Sequence, residues 1–128
     1  VTTEDLEVAV SKFLNDKTKN KTLAKIYQAV RIEVNAEIRT LEQMLEQATK
    51  LLKPQGRLVV MSYHSLEDRI VKNLIQTGNV AGDRVKDHFG NLPQVYKALT
   101  KKPVGATSDE IGLNTRARSA KLRIAEKI

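Results

Sequence analysis

The chain has no cysteine among its 128 residues, no long apolar run, no internal repeat and no low-complexity segment. The missing cysteines exclude a disulfide framework and thiolate-held metals, and they suit a reducing cytosol. No apolar stretch approaches the roughly 20 residues that a membrane span requires, and residues 1–20 lack the charged-then-apolar order of a signal peptide. A soluble, cytoplasmic protein with no membrane partner and no metal site is expected. The length suits one ordinary domain, with little room for a second core.

Charge is present but unevenly spread. Of a formal +7, residues 1–53 contribute nine Lys/Arg against eight Asp/Glu, residues 54–96 five against four, and residues 97–128 eight against three. The basic excess at the C-terminal end points to an anionic partner, nucleic acid before membrane. Lysines kept only for solubility would give the same count.

Thr2 and Asp5 stand at capping-box spacing, and Leu6, Ala9, Val10, Phe13 and Leu14 follow at helical intervals. "DKTKNKT" reads as an exposed loop. From Thr22 the periodicity resumes through Leu23, Ile26, Tyr27, Val30 and Val34 and continues to Leu52, which predicts one long helix or two joined near Asn35. "PQG" ends it, with Lys50 and Lys53 where cations suit the helix dipole. "RLVVMSY" then reads as a strand buried on both faces. Residues 76–94 read as polar loop. "VYKALT" and "SAKLRIAEKI" read as two strands, the second with Ala120, Leu122 and Ile124 on one face and Lys121 and Arg123 on the other. Between them a brief helical turn is expected near Ser108 to Ile111.

The densest chemistry is in "SYHSLEDRIVKNLI". Ser65 and Asp68 have the spacing of a capping box that opens a helix, which accounts for both residues. His64 is left over. It stands beyond the carboxyl end of the predicted strand, where ligands of open α/β sheets collect, beside backbone N–H groups suited to an anion. A local hydrogen-bonding role fits it equally.

"YQAVRIEVNAEI", "YHSLEDRIVK", "LTKKP" and "NTRARSAKLRIAEK", in that order, closely resemble the RsmH (MraW) family of 16S rRNA cytidine-N4 methyltransferases, over roughly residues 22–128. The departures are small: Tyr63 for a usual Phe, Gln55 for the middle of a P-G-G turn, Thr115 for Pro, and Lys25 near a usual Arg. The resemblance implies an α/β fold. It would be the C-terminal half of a class I (Rossmann-like) sheet that binds S-adenosyl-L-methionine, preceded by helices of an inserted substrate subdomain. Residues 1–35 would end that subdomain, and residues 36–128 would supply the last three strands and final hairpin. None of the glycines forms a strand–GxG–helix unit, so no cofactor-binding residue is expected in this chain, and the chain alone is expected to be inactive.

What the resemblance further implies is methyl transfer to N4 of a cytidine in the decoding region of 16S rRNA, in the small ribosomal subunit. His64 is the catalytic candidate. Tyr27, Gln28, Arg31 and Asn35 form one candidate RNA-binding face, although Tyr27 also fits the apolar stripe of its helix. Arg69, Lys101, Lys102, Arg116 and Arg118 are further RNA-binding candidates, the last four close in space if the final strands pair. Arg69 would otherwise pair with Glu67 or Asp68. A non-catalytic basic RNA-binding module and an assembly domain are the alternative readings. Cut off from the rest of its sheet, the strand "RLVVMSY" would offer an open edge, and self-association is expected.

Overall fold

A computed structural model describes residues 2–128 and divides the chain into two compact units, Val1–Glu37 and Ile38–Ile128. In the first unit, α1 (Thr3–Val10) is opened by the predicted box: Thr2 Oγ1 accepts from Asp5 N, and Asp5 Oδ2 accepts from Thr2 N. A 3-10 turn at Ser11–Phe13 follows, then α2 (Lys19–Val34). This helix starts three residues earlier than the apolar pattern indicates, so the polar run before Thr22 is partly helical. Of the two arrangements expected from the periodicity, two helices joined near Asn35 is the one found. Ala36 takes φ of 48°, a left-handed conformation that no helix continues through, and α3 (Glu37–Leu51) begins directly after it.

In the second unit, Gln55 at φ of 66° turns the chain from α3 into β1 (Arg57–Ser62). Gly56 is required by close approach, since a Cβ there would lie 2.8 Å from both Leu52 Cγ and the Lys53 carbonyl. Then come α4 (Ser65–Thr77), the short β2 (Tyr96–Ala98), α5 (Ser108–Leu113), a 3-10 turn at Thr115–Ser119, and β3 (Lys121–Lys127). Helices and strands are mixed, as the sequence implies. The sheet has the order β1-β3-β2, with β3 antiparallel to both neighbours; Val59 faces Ile124, and Tyr96 faces Lys127.

Leu45 of α3 and Ile70, Val71, Leu74 and Ile75 of α4 pack with Leu58, Tyr96 and Ala125 of the sheet to form the core. The buried Tyr96 hydroxyl donates to Thr49 Oγ1 at 2.9 Å, which in turn donates to the Leu45 carbonyl. One expectation about the strands is corrected. β1 is not buried on both faces: Leu58 and Ser62 are covered, but Val59 and Met61 remain 56% and 54% exposed. β3 alternates as its sequence implies, with Lys121 and Arg123 on one face and Leu122 and Ile124 on the other, and the face carrying Arg123 turns inward. Arg123 is only 8% exposed and Ala125 is fully buried, whereas Leu122 and Ile124 stand on the other side with Met61 and Val59.

The reason lies in the length of the cations. Arg123 reaches Asp68 on α4, and Lys127 Nζ donates to the Thr49 and Leu52 carbonyls at 2.6 and 2.8 Å, capping the C-terminal end of α3. β1 pairs only with β3, so its outer edge is open among the described residues. No helix among them is long and apolar enough to cross a membrane.

Candidate functional site

The β1–α4 corner carries the histidine. The capping box is one residue earlier than the Ser65–Asp68 pairing: His64 is the N-cap, with Glu67 as its partner. Glu67 Oε2 accepts from Tyr63 N at 2.8 Å and His64 N at 3.3 Å, and His64 Nδ1 accepts a long 3.5 Å bond from Glu67 N. These amides therefore meet the chain's own carboxylate, so the anion pocket expected there is already filled. His64 Nε2 lies 3.1 Å from Glu67 Oε1 but off the direction a hydrogen bond needs, and this buried nitrogen makes no hydrogen bond.

Asp68, freed from capping, faces inward. Its carboxylate accepts from Arg123 Nε at 2.7 Å and from Arg123 Nη2 at 3.1 Å, a two-pronged pair, with Lys121 Nζ 3.6 Å away. The Arg123 hydrogen bonds hold the carboxyl below its ordinary pKa against the opposing effect of burial, and the nearby positive charges add to this. The pair ties the first turn of α4, and hence the His64 corner, to the central strand. Sequence reading missed it, because 55 residues separate the partners. Arg69 pairs with neither acid: it is exposed and makes no ion pair among the described residues.

A cofactor loop has no counterpart in this corner. Only Tyr63 and His64 connect β1 to α4, and no glycine lies between a strand and a following helix in that connection. This two-residue corner does not fit S-adenosylmethionine.

The four cations of the last connection sit on built features. Thr100 N donates to the Ile124 carbonyl, while Val104 pairs with Leu122, so four steps along one chain oppose two along β3. The surplus forms a bulge that presents Lys101 and Lys102, both exposed. Arg116 and Arg118 flank the buried Ala117 in the 3-10 turn, which Asn114 Oδ1 caps by accepting from Arg116 N. Both arginines are exposed, and none of the four cations makes an ion pair among the described residues. The Val104–Leu122 bridge sets the bulge beside the chain leading from that turn into β3.

In the first unit, Tyr27, Gln28, Arg31 and Asn35 all lie on α2 or at its end, but three of them have local partners. The Tyr27 hydroxyl donates to Glu7 Oε1 at 3.0 Å, with the Thr3 carbonyl as an alternative acceptor at 3.3 Å; partial burial first, and then Glu7, raise its pKa. Arg31 grips Glu37 through two nitrogens, at 3.0 and 3.1 Å, and Asn35 Nδ2 joins them at 3.2 Å. Gln28 is half-buried.

Against known proteins, the model of the MraW methylase family matches residues 1–128. The chain is similar to proteins named ribosomal RNA small subunit methyltransferase H. It is 54% identical to the one from Bacteroides fragilis strain ATCC 25285 over 97% of this chain, covering 40% of that protein. With those of Phocaeicola vulgatus and Flavobacterium johnsoniae it shares 50% identity over 99% of its length, covering 42% of each. It thus spans about two fifths of the length of the curated relatives it matches. The match over its whole length places the chain in the MraW methylase family.

Proposed function

We propose that this chain is the RNA-facing, C-terminal part of an enzyme that transfers a methyl group from S-adenosyl-L-methionine to N4 of a cytidine in the decoding region of 16S rRNA. The observation that carries the reading is the family match over residues 1–128. The cofactor is assigned to the part of the longer relatives that lies outside the match, since the β1–α4 corner has no loop to hold it. Residues 1–35 are read as the end of a helical substrate subdomain and residues 36–128 as the edge of a Rossmann-like sheet. The β1-β3-β2 order supports this, because it leaves the long outer edge of β1, and the face carrying Val59, Met61, Leu122 and Ile124, for further elements to cover. A cytoplasmic setting follows from the substrate.

The chemistry asked of these residues is positioning. Lys101, Lys102, Arg116 and Arg118 are assigned to the rRNA backbone, where unpaired exposed cations release counterions on binding. Arg69 is assigned with them. Tyr27, Gln28, Arg31 and Asn35 are assigned to a second RNA contact, for which Arg31 must leave Glu37. His64 is the candidate group at the reacting amine, a role that requires its ring to turn away from Glu67; catalytic hydrogen bonds often form only once substrate is bound.

Titration with labelled small-subunit rRNA and with S-adenosylmethionine tests the division of labour. The chain should bind the RNA with strong salt dependence and should not bind the cofactor. Arg116→Ala with Arg118→Ala should lower the salt slope by up to about two units. Micromolar cofactor binding, or an unchanged slope with unchanged affinity, contradicts the assignment.

A further inference from the structure

Residues 83–91 contain a feature that neither the core nor the candidate site uses. Phe89, one of two phenylalanines in the chain, is 90% exposed. Leaving such a ring in water forgoes about 2 kcal/mol of burial. Yet the backbone that carries it is tightly tied. Asp87 Oδ1 accepts from Phe89 N at 2.9 Å and Asn91 N at 2.8 Å, Asp87 N donates to the Asn91 carbonyl at 2.8 Å, and Gly90 N donates to the Asp87 carbonyl at 3.0 Å. Gly90 supplies the positive φ of 83° that lets the chain reverse. The ring is thus held out at the tip of a closed turn.

Its surroundings favour one kind of ligand. Arg84 and Lys86 precede the turn, both exposed and without an ion pair among the described residues. Asp87, two residues before the ring, is committed to the amides of the turn itself. Phe89 and the exposed Val85 together are far smaller than the roughly 1,000 Å² that a specific protein interface needs. A flat apolar face beside exposed cations does suit a nucleobase in unpaired RNA, with the cations on the adjoining phosphates, and a pre-ordered turn lowers the entropic cost of contact.

We propose that the Phe89 turn is a base-stacking platform for single-stranded RNA, a contact additional to the basic bulge and the 3-10 turn. It rests on the reading of the chain as RNA-facing. The test is fluorescence anisotropy with a short labelled single-stranded RNA and the whole chain. Phe89→Ala and Phe89→Leu should each weaken binding about ten-fold, within the range for loss of one stacked base, with the salt slope unchanged. Phe89→Tyr should bind as the parent does. Phe89→Trp should bind normally and place the only tryptophan of the chain at the contact, its emission quenched by the RNA. Because the ring is exposed, all four variants should keep the parent's circular dichroism. Salt-dependent RNA binding that is the same, within about two-fold, in parent, Ala and Leu variants would overturn the platform and leave the RNA-facing reading intact. Failure of the parent to bind RNA would overturn both.

Discussion

Replacing Asp68 by asparagine removes one charge from a nearly dry contact and leaves the Arg123 guanidinium buried without its counter-ion. Their side chains are only 12% and 10% exposed, so solvent cannot take over the lost partner. Breaking a buried pair from one side typically costs about 3–5 kcal/mol. The substituted amide keeps one acceptor oxygen for one of the two guanidinium bonds, which puts the expectation near the lower end, about 3 kcal/mol. For a chain of this size that is roughly a 12 °C fall in melting temperature. Urea unfolding followed by circular dichroism at neutral pH measures it. The linked pH dependence has a definite sign. Arg123 lowers the folded-state pKa of Asp68, so the stabilisation is complete above the unfolded carboxyl's value of about 4 and is lost as pH falls through the lower folded value. The asparagine variant should lack that part of the acid limb. Asp68→Leu combined with Arg123→Met should be much less damaging than Asp68→Asn, because it leaves no unpaired charge. A loss below about 1 kcal/mol in Asp68→Asn, with the acid limb unchanged, would refute the buried pair as the tie between α4 and β3.

Gln55→Gly should stabilise the chain by about 0.5 kcal/mol, since relief of an αL conformation outweighs the added freedom of the unfolded chain; a loss of stability on urea unfolding would count against the strained turn. The open edge of β1, beside the exposed Val59 and Met61, should make the chain self-associate. Light scattering during size exclusion should therefore show a dimer or larger species, and a monodisperse monomer at high concentration would contradict it.

Local signals in the sequence were readable where local bonds decide the outcome. Thr2 with Asp5 announces α1, and "PQG" announces the stop before β1. The box at α4 was displaced by one residue because Glu67 and Asp68 are adjacent acids, each three residues from a plausible cap; the long-range pull of Arg123 on Asp68 settles which one caps. The same pull decides which face of β3 turns inward: alternation marks which residues share a face, but not which face meets the helices when long cations line the inner one. For β1, an unbroken apolar run does not reveal how much covering structure accompanies it. The basic residues of the last connection were legible as charges, whereas their presentation on a bulge and around the buried Ala117 depends on the Val104–Leu122 pairing. Phe89 lies inside an aperiodic loop, where periodicity carries no signal. The signal was Asp87 two residues before it and Gly90 after it, the spacing of a side-chain-closed turn.

The most direct measurement of the central claim is methyl transfer by a chimera in which the part of the Bacteroides fragilis relative outside the match is joined to these 128 residues. It would be incubated with S-adenosylmethionine and small ribosomal subunits lacking the modification, and the rRNA nucleosides analysed by mass spectrometry. The expected result is N4-methylcytidine at one position of the decoding region with the chimera, and none with the present chain alone. A folded chimera that binds the cofactor but methylates no cytidine, or methyl transfer by the present chain without it, would contradict the assignment.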